Sequence, residues 1–196
     1  MLEMGTMAWD PLFVPDRGTL AVEFSATLAA APGRDADRLS SPSQLAAWLD
    51  GRGDRLPAQG PETAARLGRF RALRDAVSEL LEAAALGRPL PRGALESVNE
   101  ASASAAAYPV LVSPGIVHLR TASGDATGAI LGAIARSAIE LLGGPDGERI
   151  RSCAAPGCGR VFVATRPGRT WCSNDCGNRT RVARHYARSR ASRDAS

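Results

Sequence analysis

The chain has 196 residues, 44% of them apolar, enough for a globular body of one or two domains and too many for a disordered chain. Every basic residue is arginine, which excludes Schiff-base lysine and P-loop lysine chemistry. The formal charge of +4 is uneven: residues 1–150 carry 14 arginines against 18 acids, residues 151–196 carry 10 against 2. An acidic body with a basic end points to an anionic partner, usually nucleic acid.

In chain order, "MLEMGTMAWDPLF" has no basic start and no apolar run of signal-peptide length. No stretch of about 18 apolar residues is found, so no membrane span and a cytoplasmic location are expected. Pro11 and Pro15 make residues 1–17 irregular. Thr19–Ala30 places Leu20, Phe24 and Leu28 on one helical stripe. After the loop "APGRDADRL", Ser41, Pro42 and Gln44 form a helix start: a cap, a first-position proline and a capping-box partner. Leu45, Trp48 and Leu49 supply that helix's apolar face.

The longest helix is expected to begin near Pro61, with Leu67, Phe70, Leu73, Val77, Leu80 and Ala84 inward. On it, Arg71 and Arg74 beside Asp75 read as solvated ion pairs. Pro91–Ala107 fits a helix with Leu95 and Val98 inward. The stretch 108–121 then changes to a β period on both sides of "SPG", which predicts a hairpin. On its second strand His118 alternates with Ile116 and Arg120 and reads as a surface strand histidine. Helical spacing returns in "GDATGAILGAIARSAIELLGG", with Ile130, Ile134 and Leu141 on one side and Gly143–Gly144 as the stop. The charge balance changes near Arg149–Ser152, dividing a helical domain, 1–150, from a small module, 151–196.

That module holds all four cysteines, Cys153, Cys158, Cys172 and Cys176. Two close pairs divided by a thirteen-residue insert let four thiolates surround one tetrahedral Zn²⁺. In a reducing compartment, metal is favoured over disulfides. Unconnected buried thiols and a redox cluster are the alternatives, the latter without C-x-x-C spacing. A filled ligand set makes the zinc structural and leaves no open position for hydrolysis. "RVFVAT" and the turn "RPG" are expected to form a hairpin that carries the first pair toward the second, with Val161, Val163 and Trp171 packed beside the metal. Cys172 and Cys176 suit one helical turn, capped by Ser173 or Asn174.

The helix beyond carries no acid between Asp175 and Asp194. At about 100° per residue, Arg181, Arg184, His185 and Arg188 share one face. Val182 and Tyr186 are expected to turn toward the zinc core, with Arg179 and Arg190 near that apolar edge. Arg179, Arg181, Arg184, His185, Arg188 and Arg190 are therefore the candidate nucleic-acid contacts. Elsewhere no nucleophile–base–orienter set or motif-placed carboxylate pair stands out, so the chain does not read as an enzyme.

C-x4-C followed by W-C-x3-C-G-N-R and an arginine-rich helix resembles the CGNR zinc-finger proteins, with Cys176, Gly177, Asn178 and Arg179 intact. "LAVEFSATL", "LAAWL", "LRDAVSELLEAAALGRPLP" and "IARSAIELL" are similar, in order, to the ABATE domain that accompanies that finger. The resemblance spans nearly the whole chain and implies a stress-induced transcription regulator. It departs at Glu23 and Ala26, where the family has aspartate and asparagine, and in the short, acid-free loop Ala164–Thr170. The expected fold is mainly α with a β-hairpin (α+β), a helical domain plus a zinc-bound ββα-like module. The expected function is duplex-DNA binding, with the body sensing a small-molecule effector or forming a homodimer. The alternative is an RNA- or protein-binding module.

Overall fold

A computed structural model describes residues 19–28, 37–105, 107–113, 116–121 and 125–194. The expectations for residues 1–17, for most of "APGRDADRL" and for the "PG" of the hairpin turn lie outside the described residues, as do the side chains of His118, Arg120 and Arg190.

The fold is mainly helical with two small antiparallel sheets, as expected. Helix α1 spans Thr19–Ser25 and tightens into a 3-10 turn at Ala26–Leu28. Leu20 and Phe24 are buried, but the tighter turn swings Leu28 out to 46% exposure. Helix α2, Pro42–Asp50, starts as its sequence dictates: Ser41 Oγ accepts the Gln44 N–H, and Pro42 takes the first turn. Gln44 Oε1 reaches back one residue further than a capping box requires, to the Ser40 N–H at 2.7 Å.

Helix α3 is Leu67–Ala85 and does not begin near Pro61. Residues 64–66 form a separate 3-10 turn, so the regular helix starts later. It is also not the longest helix; the C-terminal helix described below has 21 residues. Phe70, Leu73, Val77 and Leu80 are buried as read. So is Arg74, at 2%, which corrects its reading as a solvated pair. Its Nη1 meets Asp37 and its Nε meets Asp75, so a partner 37 residues away in sequence makes the burial tolerable.

Helix α4, Arg92–Ser104, buries Ala94 and Val98 and half-buries Leu95. Strands β1, Ala107–Ser113, and β2, Ile116–Thr121, pair antiparallel with a bulge between Leu111 and Ser113. Helix α5, Ala126–Gly143, is the centre of the body and touches α1, α3 and α4. By length and composition it could cross a membrane, yet most of it is core, with Ile130, Ile134 and Leu141 buried. Its packing on α4 is close: a Cβ built on Gly132 would stand 2.0 Å from the Ala105 Cβ. Ser137 Oγ accepts the Ala21 N–H in the buried contact with α1.

A third 3-10 turn, Gly147–Arg149, leads into β3, Ile150–Ser152, which pairs antiparallel with β4, Val161–Val163. Helix α6, Asn174–Asp194, completes a ββα arrangement. Here two details differ from the sequence reading. The partner of "RVFVAT" is the strand before Cys153, so the first cysteine pair lies within the hairpin connection. Alternation along β4 sends Val161 and half-buried Val163, with Ile150, into the body core, while Phe162 packs with the cysteines. Trp171 does pack beside the sulfurs. The hairpin is thus rooted in the body on one face and carries the metal ligands on the other.

Candidate metal centre and basic helix

Cys153 and Cys158 come from the β3–β4 connection. The Cys153 N–H donates to Arg160 O at 2.8 Å, and the Cys158 N–H to Ala155 O at 3.1 Å. Cys172 stands just ahead of α6, in a bend, and only Cys176 lies in the helix. The two therefore do not share one helical turn. Ser173 caps the helix, its Oγ accepting the Cys176 N–H at 3.3 Å.

Ligand atoms of all four cysteines lie within 4.8 Å of one another. Sγ separations are 3.7 Å for Cys158–Cys172, 3.6 Å for Cys172–Cys176 and 3.6 Å for Cys158–Cys176. Four sulfurs bound at about 2.3 Å to a tetrahedral ion stand about 3.8 Å apart, so these edges fit one Zn²⁺. They are far too long for disulfides, and all four cysteines are free. The donor set is complete, which makes the site structural.

Two arginines serve the sulfurs. Burial pushes the Cys158 thiol up, but the backbone N–H and guanidinium of Arg160 donate to it and bring it to about 6. Burial and the neighbouring sulfurs push Cys172 up to about 12. Arg179 Nη2 donates to Cys176 Sγ at 3.5 Å, and the Cys172 N–H to Cys153 Sγ at 3.4 Å. Donors of this kind offset the net −2 of a Zn(Cys)₄ centre and orient its ligands.

Each residue of "CGNR" thereby has a physical role. Cys176 is a ligand. Gly177 admits the Trp171 ring, whose Cε3 would lie 3.2 Å from an added Cβ. Asn178 Oδ1 accepts from the Arg181 guanidinium and holds it. Arg179 is turned to the metal centre.

Thr180, whose Oγ1 donates to Cys176 O, is the last residue of α6 buried among those described. From Arg181 on, the described side chains are exposed except half-buried Ser189. Arg181, Arg184, His185 and Arg188 are exposed. Val182 at 54% and Tyr186 at 64% are exposed too, so they do not turn toward the zinc core. The metal anchors the helix root, and no buried apolar stripe is needed beyond it. The Arg190 backbone lies in α6.

Arg181 also lines a groove of about 330 Å³ with Arg166, Arg169, Trp171, Ser173 and Asn174. Arg166 and Arg169 are site candidates that the helix-centred sequence reading missed. Their signal was the "RPGR" of the insert, where two arginines flank a turn. Arg169 is occupied within the loop: it donates to Trp171 O and Cys172 O and stacks over Phe162 at 5.3 Å. Glu23, one of the departures, pairs with Arg52 at 2.9 Å and Arg55 at 2.8 Å. Burial raises the Glu23 carboxyl, but the two guanidiniums outweigh it and hold it below the usual range.

A helical body joined to a four-cysteine ββα module is the architecture of a zinc-finger protein with an accessory domain. Residues 18–145 match the family ABATE, "Putative stress-induced transcription regulator", and residues 149–189 match "CGNR zinc finger". The chain belongs to the ABATE family and carries a CGNR zinc finger with one structural zinc site. These are regulator and zinc-finger families and not enzyme families. No curated protein matches the chain in sequence.

Proposed function

We propose that this chain is a zinc-dependent transcription regulator that binds duplex DNA through α6 and acts in the cytoplasm. The observation that carries the reading is helix α6: its described side chains from Arg181 to Arg188 are exposed, Arg181, Arg184, His185 and Arg188 share one face, and its root lies at the sulfur cluster. The DNA major groove admits an α-helix, and guanidiniums neutralise phosphates and can read guanine edges. Arg166 extends the same positive surface beside Arg181.

One finger-sized reader buries too little surface for tight specific binding, so the active species is a homodimer. Light scattering after gel filtration tests this; a strict monomer on and off DNA sinks that part. The body senses a small effector.

The direct test is R181A/R184A/R188A. Zinc content and helical signal are retained and duplex-DNA binding is lost. Retained binding would move the interface off α6. Binding of structured RNA or an acidic protein, with no duplex signal even at low salt, would replace this reading.

A further inference from the structure

Two grooves flank the insert turn of the finger. One, of about 470 Å³, is lined by Arg149 and Arg151 at β3, by Arg166 and Arg169 from the turn, and by Thr170. The other is the groove of about 330 Å³ that runs on to Arg181. They share Arg166 and Arg169, so one arginine-lined surface extends from β3 across the turn to the root of α6. Among the described residues no carboxylate lines either groove. The charge on this surface is also unmatched. In the body, Arg52, Arg55, Arg66, Arg69, Arg71 and Arg74 each meet a carboxylate. Among the described residues, Arg151, Arg166, Arg169 and Arg181 meet none.

The turn is braced at both ends. Arg149 Nε donates to Ala164 O at 2.8 Å, Arg169 donates to Trp171 O and Cys172 O, and the Ala154 N–H donates to Thr170 O at 2.9 Å. Between them Gly168, at φ +75°, reverses the chain. This bracing leaves Arg166 over: it is exposed, and its guanidinium has no hydrogen bond or ion pair among the described residues. Arg151 stands opposite Phe162 in the hairpin and so on its finger face. Its Nη1 donates to Glu148 O and Ile150 O, and its Nε and Nη2 remain for another acceptor. A held turn offers these donors to an anion without first having to be ordered.

We infer that this surface is the phosphate clamp of the DNA complex: Arg151, Arg166 and Arg181 hold phosphates beside the groove that α6 enters, and Arg184 and His185, further along the helix, are left for base edges. Cations spread along a track on three elements match a backbone of repeated phosphates better than one small anion. The inference rests on the regulator reading above and divides its arginines into those that position the duplex and those that specify it.

The test is titration of the zinc-loaded full chain with three duplexes of equal length, one all A·T, one all G·C and one mixed, at several salt concentrations. R151A/R166A keeps its zinc and weakens by the same factor, roughly tenfold or more, on every duplex; its slope of log affinity against log salt is shallower by about 1.8, because each phosphate contact contributes about 0.9. R151K/R166K, which keeps the charges, restores affinity and slope. R184A loses unequally on the A·T and G·C duplexes and leaves the slope in place. R151A/R166A that matches wild type in affinity and slope overturns the inference, and loss of binding by R181A/R184A/R188A in the same assay leaves the regulator reading standing without it. A loss confined to one duplex with the slope unmoved also overturns the clamp, and a uniform loss with a shallower slope in R184A overturns the division of roles. Wild type that binds no duplex even at low salt, whether or not it binds structured RNA, overturns the inference and the regulator reading together.

Discussion

Arg179 donates from Nη2 to the Sγ of Cys176, one turn ahead of it on α6, at 3.5 Å. The arginine that ends the CGNR motif is therefore part of the metal centre's surroundings. Replacing it with methionine should keep the fold and lower zinc affinity about 10- to 100-fold, the usual cost of an outer-shell partner. Competition with a chromogenic chelator measures it. Unchanged affinity would remove Arg179 from that role.

The metal should stabilise more than the finger. Ile150 and Val161 flank the ligand-bearing connection and are buried in the body core. Chelation, or C158S, should therefore lower the melting temperature of the whole chain as well as the helical signal of α6. Structural zinc contributes on the order of 10–16 kcal/mol in finger peptides. Calorimetry showing the body's transition unmoved would mean the hairpin is not a shared element.

Arg74 is the body's most demanding residue. It is 3% exposed in its side chain and pairs with Asp37 and Asp75. R74M should lose about 3 kcal/mol in chemical denaturation, because it removes the buried guanidinium that joins Asp37 to Asp75 and leaves Asp37 with only Arg71 and the Leu39 N–H. A loss below about 1 kcal/mol would show an ordinary surface pair.

Acid should weaken the body's arginine–carboxylate pairs. Burial raises the Asp37 carboxyl, but Arg74, the Leu39 N–H and Arg71 outweigh it and lower it; Glu23 is lowered by Arg55 and Arg52. A carboxyl lowered on folding stabilises the folded state above its unfolded value, here 3.8 for Asp37 and 4.5 for Glu23. That contribution is lost as pH falls through the lowered values. Melting temperature should drop on acidification across this window, and less steeply in the E23Q and D37N variants. Parallel curves for wild type and variants would contradict the assignment.

Gly132 tests the body's closest helix contact. G132A adds a methyl where Ala105 Cβ already stands and should cost about 1–3 kcal/mol, despite alanine's better helix propensity. A stabilised variant would mean that α4 gives way freely.

What could be read from sequence divides along physical lines. The cysteine ligands were legible because ligation depends on residue type and spacing, and all four converge. The Ser41–Pro42 start and the Ser173 cap were legible because capping is local. Arg74 was not, since its partner Asp37 is remote in sequence and the adjacent Asp75 marks an exposed pair. The pairing of β3 with β4 was hidden because "IRS" is three residues long, too short for a β period to show. Val182 and Tyr186 misled through periodicity, which signals burial only where a helix needs a core to hold it.

The central claim is that bound zinc fixes the root of an arginine helix and that this helix engages duplex DNA. The most direct measurement is titration of the full chain with a mixed-sequence duplex at several salt concentrations, metal-loaded, chelated and reloaded. Binding should be present with zinc, lost on chelation and restored on reloading. The slope of log affinity against log salt should be near −3, for about three arginine–phosphate contacts. Metal-free protein that binds the duplex as tightly as the loaded form would contradict the account.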